Sequence, residues 1–299
     1  MIDLSKESRN NTDTSLDGLL KGDLENIQNK AEELSNEWEH LGITNDFIFC
    51  KVMQDKELLS ELIKMILPDI EIQDLEITAQ KPVELGKDIH GVRFDIYVKS
   101  NEGTVIDIEM QVLNQGNLPR RLRYYGSMCD TDMLDKGVVY SKLKDSYIIA
   151  ICPFDYYNKG LHKYTFTNRC IEADNLEMGD GTMKIVLNAF GTADDVHGSL
   201  KEFLDYVAGK PSNDEYVRKL EAAVFKARQN KEWRREYMTL IMRDLENQEI
   251  GIEKGRYQRD REKIESMLKK GKTVDEIVDF CDYPIELVKE VQESIFATQ

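Results

Sequence analysis

The amino-acid sequence predicts an α/β fold in which a mixed β-sheet is flanked by helices and followed by an all-helical C-terminal region. Two alternating apolar and polar runs within residues 91–113 are joined by a short turn, which is typical of a β-hairpin. A continuous apolar run at 146–152, SYIIAIC, is typical of a buried strand. Beyond residue 195 the apolar residues recur with a helical period. We therefore divide the chain into a polar tail with a helical extension (1–40), an α/β domain (41–195) and a helical region (196–299).

The composition limits the classes of function. The 299 residues carry a formal net charge of −16, which counts against a protein that coats nucleic acid through a broad basic surface. A nuclease with a local basic strip remains compatible with this charge. The five cysteines are scattered without a CxxC pair, so neither a zinc ribbon nor a disulfide framework is supported. No apolar run has the length of a transmembrane helix and the N-terminus lacks a signal-like core, so we expect a cytoplasmic protein without membrane contact.

Two helices are predicted at the start of the α/β domain. Thr44 or Asn45 is a suitable cap for the first, and Asp55 is suitable for the second. Asp46 lies in the first turn, where an acidic residue complements the helix dipole without any further role. A short strand from Ile72 to Thr78 should follow.

The hairpin comes next, and its turn sets the pairing of its strands. A three-residue loop ending in Gly103 is a common hairpin connection, and it pairs Ser100 with Thr104. The same register predicts three further pairs, namely Asp95 with Glu109, Arg93 with Gln111, and Tyr97 with Asp107.

Two carboxylates facing each other on a half-buried sheet need a physical reason, since like charges at this spacing destabilise the sheet. Asp95 and Glu109 are either exposed to solvent, or one of them is protonated, or a cation lies between them. The third alternative describes a divalent metal site with the hard oxygen ligands that suit Mg²⁺ or Mn²⁺.

A helix predicted over 119–135 carries the densest basic cluster of this region, Arg120, Arg121 and Arg123. Arg121 and Tyr125 are four residues apart and should share one face of this helix. The arginines either grip a phosphate through their planar guanidinium groups or pair with the many acidic side chains of the surface. Further strands are predicted at 146–152, 164–171 and 183–190.

The predicted C-terminal helices include one at 214–230, with Ser212 as a candidate cap, and a small helix-turn-helix at the end of the chain. Thr273 and Glu276 form a capping box, and the final helix begins at Ile285. That final helix is rich in glutamate and contains a single lysine, Lys289. This charge favours packing or protein interaction over reading of duplex DNA.

Four short motifs occur in a fixed order: Asn45-Asp46-Phe47-Ile48-Phe49, Arg93-Phe94-Asp95, Ile108-Glu109-Met110-Gln111 and Arg120-Arg121-Leu122-Arg123-Tyr124-Tyr125. Together they resemble the recombination-promoting nuclease and transposase family of the PD-(D/E)xK nuclease superfamily, over roughly residues 43–190. The resemblance implies a restriction-endonuclease-like fold for 41–195. It also implies a DNA endonuclease that uses Mg²⁺ (or Mn²⁺) to hydrolyse phosphodiester bonds and acts in DNA recombination.

The resemblance also implies roles for particular residues. The implied catalytic residues are Asp95, Glu109, Gln111, Asp46 and Arg93. The implied metal ligands are Asp95, Glu109 and the backbone carbonyl of Met110. The implied DNA contacts are Arg120, Arg121, Arg123 and Tyr125.

Two departures from the family pattern leave the activity open. Gln111 occupies the position of the usual lysine, and an amide supplies neither a base nor a positive charge, although it can orient a water. Cys50 follows Phe49 where family members often carry lysine. We hypothesise that Arg93 or Arg121 supplies the missing cation. The alternatives are a catalytically inactive nuclease-fold module that binds DNA or a protein, and a purely protein-binding regulator. Homo-oligomer formation is left open.

Overall fold

The computed structural model describes Leu34 and residues 36–70, 74–84, 91–134 and 137–297. The predicted N-terminal tail, most of the helical extension, and the start of the strand predicted at Ile72 lie outside the described residues. No helix in the described part of the chain is long and apolar enough to cross a membrane.

A mixed sheet of six strands forms the centre of the fold, in the order β1-β2-β3-β4-β6-β5. The strands are β1 (Glu76–Val83), β2 (Val92–Lys99), β3 (Val105–Met110), β4 (Ser146–Cys152), β5 (Lys163–Phe166) and β6 (Thr182–Asn188). β3, β4 and β6 run parallel, whereas β1, β2 and β5 are antiparallel to their neighbours. The apolar run of β4 lies between two parallel strands, as expected for a strand without a polar face.

The predicted hairpin register is confirmed over the paired part of β2 and β3. Tyr97 lies opposite Asp107, and the recorded pairing ends at Ile96 and Ile108. Gly103 adopts a φ of +92°, and its N–H donates to the carbonyl of Ser100 at 2.9 Å. The glycine therefore provides the left-handed turn that sets this register.

Several strand limits differ from those predicted, and the strand predicted at 183–190 ends at Asn188. The first strand does not end at Thr78 but continues through Pro82 to Val83, because its later residues pair with the start of β2. Within it, Gln80 has a φ of +51° and is absent from the pairs, so the strand is interrupted locally and then resumes. The strand predicted at 164–171 ends at Phe166.

The helices of the structure are α1 (Asp46–Val52), α2 (Lys56–Ile66), α3 (Leu118–Met133), α4 (Gly198–Val207), α5 (Glu215–Gln229), α6 (Lys231–Lys269), α7 (Val274–Cys281) and α8 (Ile285–Ala297). The side chains of Asn45 and Asp55 cap α1 and α2, as predicted. The prediction of Ser212 as the cap of α5 is wrong. Asp214 caps this helix by accepting from the N–H groups of Tyr216 and Val217.

Two helices, α1 and α3, pack against the sheet and both contact β2. α3 packs on β4 and also contacts β2, while α1 contacts β1, β2 and α5. The N-terminal helical residue Trp38 is fully buried, and its Nε1 donates to the carbonyl of Arg228 at 2.8 Å. The hydroxyl of Tyr216 likewise donates to the carbonyl of Leu58 at 3.3 Å. These two hydrogen bonds connect α5 to Trp38 and to α2.

The chain forms two compact units, one reaching up to Arg234 and the other beginning at Arg235. The second unit is helical and has its own small core, built on Ile264, Ile277, Val288 and Val291. The predicted capping box of Thr273 and Glu276 is present at the start of α7. The domain boundary that the sequence suggests at 195/196 stays a prediction.

Candidate active site

Strands β2 and β3 part at the predicted carboxylates. One step beyond the pair Ile96–Ile108, the N–H of Asp95 donates to Glu109 Oε1, and the N–H of Met110 donates to Asp95 Oδ2, both at 3.0 Å. Side-chain oxygens thus satisfy backbone donors that have no ladder partner here. The predicted pairs Asp95–Glu109 and Arg93–Gln111 lie beyond the recorded pairing.

The carbonyl of Asp95 accepts a hydrogen bond at 3.4 Å from the thiol of Cys50 on α1. Arg93 pairs with Pro82 of β1 and is exposed. The end of β2 is therefore held from three directions by a helix, the edge of β1 and the side chain of Glu109.

Glu109 is also bound from the other side of its carboxylate. The amide nitrogen of Gln111 donates to Glu109 Oε2 at 2.9 Å, and Nη2 of Arg121 lies 3.8 Å from the same oxygen. Arg121 donates to the hydroxyl of Tyr125 through Nε at 3.1 Å and Nη2 at 2.8 Å. The predicted shared face of Arg121 and Tyr125 on α3 is thus present, and it fixes the guanidinium beside the acid.

A cavity of about 990 Å³ opens at this point. Eight of the predicted site residues line it: Asp46, Arg93, Asp95, Met110, Gln111, Arg120, Arg121 and Tyr125. Glu109 is only 1% exposed and reaches the cavity wall through Gln111. Arg123 is exposed on α3 and is not among the described residues that line this cavity. The volume of the cavity is within the size range of small-molecule sites.

The electrostatics of the carboxylates follow from this crowding. Burial and, to a smaller extent, the charge of Asp46 together raise the pKa of Asp95 to about 6, against the hydrogen bond from Met110. Burial, followed by the charge of Asp95, raises the pKa of Glu109 to about 8. Burial acts to lower the pKa of Arg121, but Tyr125 and the acids outweigh it and raise the pKa above its ordinary value. Burial and the neighbouring acidic charges thus outweigh the nearby arginines in setting the pKa values of Asp95 and Glu109.

Asp107 is an acidic residue of this site that we did not predict. It is fully buried in β3, and neither of its carboxylate oxygens has a hydrogen-bond partner among the described residues. Burial raises its pKa well above the usual range, and the charges of Glu109 and Asp95 raise it further. The signal was available in the sequence, because residues two apart on a strand share one face and Asp107 precedes Glu109 by two.

The donor set suits a divalent cation, although it is not arranged as a finished metal site. Among the described residues, no group of three or more His, Cys, Asp or Glu side chains is placed to hold a metal ion. Both oxygens of Glu109 and Oδ2 of Asp95 accept protein hydrogen bonds, and each of these oxygens has a second lone pair for a cation. Burial, and after it the charges of neighbouring acids, raise the pKa values of Asp95 and Glu109, and a bound cation would offset both effects. The assignment of Asp95, Glu109 and Met110 as ligands stays a prediction.

The comparison with protein families agrees with this geometry. Residues 43–179 match the family described as PD-(D/E)XK nuclease family transposase. The family resemblance and the restriction-endonuclease-like fold are thereby confirmed. Nucleases of this superfamily typically use divalent metal ions, and family members can be inactive. Neither the comparison with curated proteins nor that with solved structures gave a match.

Proposed function

From the match of residues 43–179 to the family described as PD-(D/E)XK nuclease family transposase, we propose that the protein is a metal-dependent DNA endonuclease of the recombination-promoting type. It hydrolyses phosphodiester bonds with Mg²⁺ or Mn²⁺ and acts in DNA recombination in the cytoplasm. The observation that carries the proposal is a pair of hydrogen bonds where β2 and β3 part, from the N–H of Asp95 to Glu109 and from the N–H of Met110 to Asp95, beside Arg121 and a cavity of about 990 Å³.

The metal-binding part of the proposal rests on oxygen donors from two strands. Asp95, Glu109 and the carbonyl of Met110 would hold the ion, with Asp46 as a ligand through water. An ion held by these residues would supply activation of a water and stabilisation of the negative charge on the phosphate. Orientation of the water and positive charge toward the phosphate are assigned to side chains of the protein.

Gln111 and Arg121 take the roles that a lysine has in the common motif. The amide nitrogen of Gln111 donates to Glu109, so its amide oxygen is the atom that orients the attacking water. Arg121 supplies the positive charge toward the phosphate, and Tyr125 holds its guanidinium in place. Arg93 and Arg120 line the same cavity and add phosphate contacts, and Arg123 adds one from the exposed face of α3.

Among the described residues that line the cavity there is no lysine that could supply the positive charge toward the phosphate. Lys51, the nearest in sequence to the Asp46 motif, has its Nζ 5.1 Å from the ring centroid of Phe47 and 5.7 Å from that of Trp233. These cation–π contacts hold the ammonium group of Lys51 against the two aromatic rings.

One observation favours a second candidate, an inactive nuclease-fold module that binds DNA or a protein. Glu109 is satisfied by hydrogen bonds on both oxygens, and one of these comes from Gln111, the residue in the lysine position. A site of this kind is stable without an ion. Self-association of the chain is compatible with either candidate.

The test is cleavage of supercoiled plasmid with Mg²⁺ or Mn²⁺, with EDTA as the control for metal. Asp95→Asn and Glu109→Gln keep the shape of each side chain and should each lose cleavage while retaining the wild-type circular dichroism spectrum. Glu102→Gln in the hairpin turn is the matched control, since it removes an exposed acid outside the cavity. Salt-sensitive DNA binding without any cleavage would favour the inactive module. Absence of both activities would remove the nuclease proposal.

A further inference from the structure

The loop between β3 and α3 (residues 111–117, sequence QVLNQGN, called the 111–117 loop below) has an unusual surface for a protein of this charge. It contains no charged residue. Its large apolar side chains face solvent, with Leu113 exposed to 74% and Val112 to 43%. Leu113 therefore contributes little to the core, and its side chain is available to a ligand.

The 111–117 loop is held in place at both ends. The N–H of Gln111 donates to the carbonyl of Ile151 in β4 at 2.9 Å. Gly116 has a φ of +70°, its N–H donates to the side chain of Asn114 at 3.1 Å, and its carbonyl accepts from the hydroxyl of Tyr156 at 3.0 Å. The exposure of Leu113 is thus a feature of an anchored loop.

The loop shares the cavity of the candidate active site. Val112, Leu113, Gln115 and Asn117 line the same cavity as Asp95 and Arg121. A nucleotide next to a phosphate at the acidic residues would therefore lie against this neutral, partly apolar wall.

The chemistry of this wall identifies the part of a nucleic acid that it fits. Phosphate contacts depend mainly on cationic side chains, and the loop has none. An aliphatic side chain instead packs on the face of a base, and base faces are covered by their neighbours inside a stacked duplex. Amide side chains such as those of Gln115 and Asn117 hydrogen-bond to the edges of bases.

We propose that the 111–117 loop binds an unpaired base beside the scissile phosphate, with Leu113 packed on the base face and the amides on its edge. The substrate class is then DNA with unpaired nucleotides at the cleavage site, such as a bubble or a single-stranded flap. This inference rests on the proposed nuclease function, and it assigns the cavity to unstacked rather than continuous duplex DNA.

The experiment measures binding in EDTA, so that cleavage is not needed. Fluorescence anisotropy compares a perfect duplex with the same duplex carrying a central bubble that contains 2-aminopurine. The wild-type protein should bind the bubble more tightly and change the 2-aminopurine emission. Leu113→Ala should weaken bubble binding by about tenfold with little effect on the duplex, and Leu113→Met should restore it. Ile171→Ala is the matched control, since Ile171 is 92% exposed and outside the described lining of the cavity.

Equal wild-type affinity for bubble and duplex, or no binding to either, would overturn the inference. An equal loss for Leu113→Ala and Ile171→Ala would also overturn it. The proposed nuclease function has a separate readout. If bubble binding depends on Leu113 but plasmid DNA is not cleaved, only the proposed catalysis is contradicted. If plasmid DNA is cleaved but the bubble is not preferred, only the proposed role of the loop is contradicted. Because Leu113 is exposed, its variants should melt at the wild-type temperature.

Discussion

Asp95 and Glu109 hold each other's strands, since the N–H of Asp95 donates to Glu109 Oε1 while Asp95 Oδ2 accepts from the N–H of Met110, the residue after Glu109. Each carboxylate thereby replaces a ladder bond at the point where β2 and β3 part. The acidic pair is consequently part of the sheet as well as of the candidate active site, and the following predictions use both properties.

The stability of the metal-free protein should fall as pH rises from about 4 to above 8. Glu109 has a folded-state pKa of about 8, above the ordinary value of a glutamate, so the folded state keeps a proton that the unfolded state releases. Its contribution is fully present below the unfolded pKa and is lost as pH rises through the folded pKa. Asp107 acts in the same direction.

Urea unfolding in EDTA between pH 5 and 9 measures this dependence. Glu109→Gln carries no titrating proton at this position, so its stability should change less with pH, by up to about 1.4 kcal/mol per pH unit. A slope equal to that of the wild-type protein would contradict the raised pKa of Glu109.

Divalent ions should raise the melting temperature. A ligand that binds only the folded state at ten times its dissociation constant adds about 1.4 kcal/mol to the free energy of unfolding. Thermal melting with Mg²⁺ or Mn²⁺ against EDTA should show this shift for the wild-type protein and for Glu102→Gln. Asp95→Asn and Glu109→Gln should lose it. A shift of equal size in all four proteins would place ion binding elsewhere.

Arg121 and Arg93 should differ in their effects on cleavage. Arg121 is fixed by Tyr125 beside Glu109, whereas Arg93 is exposed at the edge of the cavity. We expect Arg121→Ala to lower kcat by about a hundredfold or more, as for the loss of a group that stabilises transition-state charge. Arg121→Lys should restore only part of it, since lysine lacks the planar fork.

Arg93→Ala should mainly raise KM, because a phosphate contact from an exposed arginine without a fixed partner among the described residues contributes to binding more than to the transition state. Steady-state kinetics on one DNA substrate separates the two parameters. A larger loss of kcat for Arg93→Ala than for Arg121→Ala would assign the missing cation to Arg93.

The cap of α2 should be a measurable part of the stability. Asp55 accepts from the N–H groups of Glu57 at 2.9 Å and Leu58 at 3.2 Å. Asp55→Ala should lower the free energy of unfolding by about 1 kcal/mol. Glu57→Ala is the control, because it removes an exposed acid from the same first turn without removing the cap. Chemical denaturation should rank Asp55→Ala as the less stable variant.

Local signals explain what the sequence predicted well. The caps of α1 and α2, the hairpin register and the limits of β4 depend on neighbouring residues, turn chemistry and periodicity. The cap of α5 was predicted wrongly because Ser212 and Asp214 are both capping residues, and only the position of the helix start distinguishes them.

Features of the site that depend on distant contacts were not predictable in this way. The thiol of Cys50 meets the carbonyl of Asp95 across 45 positions of sequence, and no local pattern indicates this. The left-handed conformation of Gln80 and the parting of β2 from β3 beyond Ile96 are likewise set by the tertiary structure. Asp107 is an intermediate case, since its face was predictable from periodicity but its complete burial was not.

The bond from Trp38 to the carbonyl of Arg228 joins residues 190 positions apart, on either side of the segment that matches the nuclease family. The segment that matches the family is therefore shorter than the compact unit in which it is packed. A fragment limited to 43–179 would expose the faces that Trp38 and Tyr216 cover, and it should be open to proteases even though it contains every predicted site residue. The flanking helices are thus part of the packing that the segment 43–179 needs in order to stay folded.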